Sequence, residues 1–249
     1  MKIVHALKTL IRQNFKKQNI GTTVIEVIAV IIWMGSTLIF YLVISDIFSD
    51  FHLFTKSYVI TIVATYFVSD GLIFSLLYRN VGHLSNDIET RKLEHFLLLP
   101  TNMIKHISFR NIQFASMIQV PIALVMLFLW GNFSLTAFLM WTISIILGLY
   151  IAYNIWLIII ASSFWVKTNG QASIMYEELL QMGLFPLNIY LSFKLFWPLL
   201  PIALITSGGA LVLSDNKYWI LVVQGILLII VILLRKFIWG LGVKRYRWN

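Results

Sequence analysis

The chain has no cysteine among its 249 residues, so it holds no disulfide framework, no thiol nucleophile and no cysteine metal site. Charge is nearly as scarce, at 12% of residues against 59% apolar, and the mean hydropathy is +0.86. Soluble domains carry about 45–50% apolar residues, so this composition belongs to an integral membrane protein. Acids are outnumbered, 10 against 19 Lys and Arg, a net charge of +9 that marks loops facing an anionic membrane surface and no nucleic acid. The chain has no G-x-x-x-x-G-K-[ST] phosphate loop, no H-E-x-x-H zinc helix and no G-x-S-x-G elbow. His5, His52, His83, His95 and His106 are too scattered to form a metal cage, so no metal, cofactor or catalytic residue is expected in this chain.

What is present is a set of apolar runs. A crossing needs about 20 residues, and spans are expected at 22–47, 58–78, 112–130, 135–166, 173–189 and 218–241. The fold class is therefore all-α integral membrane, one domain over 1–249 with six transmembrane helices. Residues 1–19 lack the apolar core of a cleavable leader, and Val4, Leu7, Ile11 and Phe15 share one helical face, which predicts an interfacial helix. The segment 190–213 is apolar but broken by Pro198, Pro201, Gly208 and Gly209, which fits a re-entrant hairpin before the sixth span provided that protein covers its backbone. Either 173–189 or 195–213 could be the full fifth crossing. Six spans put both termini on one side, and placing them inside puts 16 of the 19 Lys and Arg inside too. The positive-inside rule thus gives a multi-pass protein of the cytoplasmic membrane with cytoplasmic termini. Trp130, Trp141, Trp165, Trp219 and Trp239 fall near predicted span ends, where aromatic anchors sit.

Between the second and third spans lies 88–100, IETRKLEHFLLLP, acidic, basic and apolar together and too short to cross. Leu93, Phe96, Leu97 and Pro100 recur at helical spacing, Asn86 and Glu89 are placed as an N-terminal cap, and Pro100 is a stop, which predicts a cytoplasmic helix over 86–100. Its apolar stripe faces either a partner or the lipid headgroups. Asp70 lies deep in the second span, either a functional acid or the structural partner of a polar group on a neighbouring span, whereas Glu26, Glu177 and Glu178 fall nearer the inner surface and read as structural. Gly35, Ser36 and Thr37 in the first span are small enough to permit close helix approach, a possible dimer contact.

Leu93-Glu94-His95-Phe96-Leu97-Leu98-Leu99-Pro100 resembles the L-E-x-L-L-x-x-P signature that follows the second span in permease subunits of ABC-2 type ABC transporters. The six spans, the basic N-terminal segment and the tail Gly242-Val243-Lys244-Arg245-Tyr246 are similar to the same superfamily, the tail to one of its export branches. Where the family pattern has Gly-Thr just before the Leu-Glu pair, this chain has Arg91-Lys92, without the glycine on which a bend there would depend. The resemblance implies an exporter permease that pairs with a second copy or a related permease and docks on two ABC ATPase subunits. The docking residues would be Glu89, Leu93, Glu94, Phe96, Leu97 and Pro100, and ATP and Mg would be held by the ATPases. Aromatic, charge-poor spans point to an apolar or amphipathic substrate such as a drug-like molecule, peptide or lipid. Two other classes remain: an ion-coupled secondary transporter using Asp70, against which stands the lack of repeated halves, and a membrane-anchored assembly or immunity protein without transport.

Overall fold

The computed structural model describes residues 20–47, 56–94, 113–130, 133–167, 171–192, 195 and 199–248. Every regular element among them is helical. The expected interfacial helix over 1–19 lies outside these residues.

Helix α1 (Ile20–Ile47) is 28 residues long, about 42 Å at 1.5 Å per residue. Helix α2 (Lys56–Ile73) continues through a π-helical turn (Phe74–Tyr78) straight into α3 (Arg79–Glu89), so the second span and its extension form one rod. Two short pieces follow, α4 (Phe114–Met117) and α5 (Gln119–Trp130). Next is α6 (Leu135–Ala161), whose start is written locally. Ser134 adopts extended geometry and its hydroxyl accepts from the Ala137 amide at 3.1 Å. Phe133 stacks on Phe138 across that cap with centroids 5.9 Å apart, a hydrophobic staple that sets the entry angle of the chain.

After a 3-10 turn (Ser162–Phe164) come α7 (Gln171–Gln181), a second 3-10 turn (Met182–Leu184) and α8 (Leu187–Ser192). The closing pair is α9 (Leu200–Asp215) and α10 (Trp219–Trp248). Pro201 sits in the first turn of α9, where its missing N–H costs nothing. At the other end Asn216 turns left-handed at φ 54, and the amides of Asn216 and Lys217 both bond back to the Leu211 carbonyl.

Four helical stretches are long and apolar enough to cross a membrane: Gly21–Asp46, Lys56–Tyr78, Leu135–Phe164 and Trp219–Tyr246. They coincide with four of the six expected spans. The other two expectations change. The helix expected over 112–130 is divided at Ile118, and its apolar stretch Phe114–Trp130 is short. The span expected over 173–189 is not one helix, because the chain extends at Phe185 (ψ 144) ahead of Pro186, which lacks the donor needed to continue. Within the segment read as a broken hairpin, α9 runs unbroken through Gly208 and Gly209.

Helix α9 is the centre of the molecule, with every residue from Ile202 to Leu213 buried. Its backbone is therefore covered by protein along that whole stretch. Gly148 of α6 meets the Ile205 backbone and Gly209 of α9 meets Ser144, so α6 and α9 run antiparallel at close range. Side-chain bonds join these buried walls. The Ser144 hydroxyl donates to Gln224 Oε1 at 2.9 Å, Gln224 Nε2 donates to the Leu204 carbonyl at 2.7 Å, and the Trp141 indole donates to Thr65 at 3.1 Å. Such bonds between apolar helices hold where the hydrophobic effect between helices is weak. Trp141 and Trp239, expected as interface anchors, are buried instead, 3% and 8% exposed.

Candidate functional site

Helix α3 ends where the sequence pattern predicts a beginning. The Asn86 carbonyl accepts from the Thr90 amide at 2.9 Å and from the Thr90 hydroxyl at 2.7 Å, so Asn86 sits in a last turn and does not cap a first one. Arg91 then adopts φ 59, and its amide reaches the Ile88 carbonyl at 3.3 Å. One continuous helix over 86–100 is therefore not formed: the chain turns sharply at 90–92 before Leu93 and Glu94. A left-handed residue is the usual way to stop a helix, and here arginine takes the conformation that glycine takes without strain.

Leu93 is completely enclosed, 0% exposed, in an apolar cluster with Ile88, Phe164 and Trp239. It anchors the turn to the ends of α3, α6 and α10. Glu94 is exposed and Glu89 half-buried, while Phe96, Leu97 and Pro100 lie outside the described residues. The Tyr246 hydroxyl faces the backbone of Leu93 and Glu94 without closing a well-directed hydrogen bond. Glu89, Arg91, Lys167 and Arg245 converge on a cleft of about 240 Å³ beside this turn.

A second feature lies along the same rod. Asp70, 5% exposed, sits one helical turn beyond Tyr66, and its carboxylate faces the Tyr66 hydroxyl and the Gln119 amide of α5. It opens on a cavity of about 410 Å³ bounded by α1, α2, α4, α5 and α7. Glu26 and Glu177, expected as structural acids near the surface, line this same cavity with Asp70; Glu178 does not. Trp33, Tyr66 and Phe74 supply aromatic walls. Phe74 opens the π-helical turn and stacks on Tyr78 at 4.6 Å, and the Tyr78 hydroxyl faces Glu177. Wide turns of this kind are frequent at functional sites. Two acceptors at the cavity have no partner among the described residues, Gln119 Oε1 and Glu177 Oε1.

Asp70 was legible as a buried acid, but its companions were not. The Tyr66–Asp70 spacing of one turn is a signal that a search for acids alone passes over. Gln119 is the polar residue inside an apolar run and could have been found the same way. Gly35 and Ser36 lie on the exposed face of α1 and Thr37 beside it, and a side chain added at Gly35 would meet no atom within 4 Å.

Four long apolar helices, a fifth buried from Ile202 to Leu213 and a cavity lined by three acids define a multi-pass membrane protein. The family model of the ABC-2 family transporter protein matches residues 14–249, and the chain belongs to that family as the permease subunit of an ABC-2 type transporter. No curated protein and no solved structure matches the chain significantly. Its role is thus that of a membrane transport component, not a catalyst.

Proposed function

We propose that this permease works as one of a pair in an ATP-driven exporter of the cytoplasmic membrane. Its termini face the cytoplasm, its substrate is apolar or amphipathic, and ATP and Mg are held by two separate ABC ATPase subunits. The observation that carries this reading is the rod from Lys56 to Glu89, which joins the turn at 90–94 to the cavity at Asp70 without a break. With Leu93 locked into the cluster at the ends of α3, α6 and α10, a force on the exposed side of the turn moves those helices together. Closure of the ATPases would bias inward and outward states through its different contacts with each.

Leu97→Asp tests the coupling. Leu97 is the apolar position of the signature that follows Glu94, and an unpaired carboxylate in a buried contact costs about 3–5 kcal/mol, enough to undo a modest subunit interface. Tagged protein carrying Leu97→Asp should insert normally but recover far less endogenous ATPase than wild type or Lys92→Gln at matched membrane level. Equal ATPase recovery with undiminished export would sink the assignment of this segment.

Three acids at one cavity also favour a second reading, a secondary transporter in which Asp70 carries a coupling ion. Substrate flux driven by an ion gradient without ATP would select it over the first.

A further inference from the structure

We propose that the cavity at Asp70 binds the ammonium head of an amphipathic organic cation. This deepens the export reading by giving its substrate a charge and a place. Among the described residues the lining includes Asp70, Glu26 and Glu177 but no Lys, Arg or His, so every titratable carboxyl or amine described there is acidic. Gln119 is only 3% exposed and its Oε1 has no partner among the described residues, nor has Glu177 Oε1. A buried acceptor without a donor is costly, and an ammonium is all donor and no acceptor. The Tyr66 hydroxyl and the Gln119 amide face the Asp70 carboxylate but take up only part of its roughly four acceptor sites, so an entering N–H group would meet that carboxylate together with the two open acceptors.

The walls argue for an organic ion. Among the described residues no group of three His, Cys, Asp or Glu is close enough to hold a metal ion. Trp33 and Tyr66 bring aromatic rings to the lining, and Ala29 and Val30 offer apolar surface to the tail of a cation. A volume of about 410 Å³ lies within the usual range of small-molecule sites. Such an ammonium could belong to a soluble amphiphile or to a lipid headgroup.

The test uses the purified full chain in uncharged maltoside micelles, with dodecylammonium as probe, dodecanol as its neutral match, and tryptophan fluorescence as readout. Dodecylammonium should bind on the order of tenfold more tightly than dodecanol, the size of one charge-assisted bond. Asp70→Asn, which keeps the shape and the acceptor for Tyr66, should abolish most of that preference and leave dodecanol binding intact. Glu177→Gln should weaken it in the same direction, whereas Glu178→Gln, exposed and outside the cavity, should not. Equal binding of the two probes to wild type, or an equal loss from Glu178→Gln, overturns the proposal. Added phosphatidylethanolamine that displaces the probe assigns a lipid as occupant, and failure to displace it assigns a soluble amphiphile; either result requires the ammonium preference first. Because no ATPase is present, binding can fail while ATPase recovery stands, and the reverse.

Discussion

At the scale of single residues, an arginine and a glycine are each tightly constrained. Arg91 holds φ 59, a conformation that costs L-residues about 1–2 kcal/mol and β-branched ones more. Arg91→Ile should therefore lower the thermal unfolding midpoint in detergent, while Arg91→Gly should keep it near wild type, since glycine loses chain entropy but relieves the strain. A midpoint unchanged by isoleucine would show that the turn is not held in that conformation. Gly148 is constrained by space: a methyl group there would lie 2.6 Å from the Ile205 carbonyl oxygen, a backbone atom that cannot swing away. Gly148→Ala should cost about 1–3 kcal/mol by forcing α6 off α9. Gly225→Ala, with nothing within 4 Å, is the matched control and should be neutral or slightly stabilising.

At the scale of elements, long apolar runs were legible because a crossing helix is specified by length and composition within its own segment. That is why α1, α2, α6 and α10 coincide with expected spans. Helix α3 is different. Its stripe of Val81, Leu84, Ser85 and Ile88, all buried, repeats at helical spacing. Asn86 and Glu89 nonetheless resemble a start, and only the tertiary seat of Leu93 makes 86–92 an end. In α9 the prolines and glycines resemble breaks. Pro201 is instead a first-turn residue, and Gly209 lets Thr65 and Ser144 come so close that a side-chain carbon added there would lie 3.2 and 3.4 Å from them, which no pattern within 200–215 can reveal. The cavity has the same character. Asp70 shows itself as an acid in an apolar run, whereas Gln119 and Glu177 join it from elements far along the chain.

At the scale of the whole molecule, the described chain leaves α1 attached along one side only. Just 11% of its most apolar window is buried, and Ile25, Ile28, Ile32 and Ile39 point outward with Gly35 and Ser36 among them. The outer face of α10 is also open and carries large side chains, Val222, Ile226, Ile229, Leu233 and Phe237, with Gly225 and Gly240 toward its two ends, whereas α1 sets Gly35 and Ser36 side by side at mid-helix. Lipid accepts both surfaces equally, but close packing of two membrane helices does not, because small residues let the backbones approach. The exporter reading requires two permeases, and α1 is the face on which they would meet. Single cysteines along 34–40 should crosslink between copies with helical periodicity, strongest at Gly35→Cys and weakest at Met34→Cys, where the side chain turns inward at 4% exposure. Cysteines at Ile226 and Ile229 on α10 should stay monomeric under the same oxidant. A uniform ladder of weak crosslinks at both helices would indicate random collision in the bilayer. A pattern confined to α10 would move the pairing face to the last helix and separate it from the wall of the Asp70 cavity, which α1 contributes through Glu26 and Trp33.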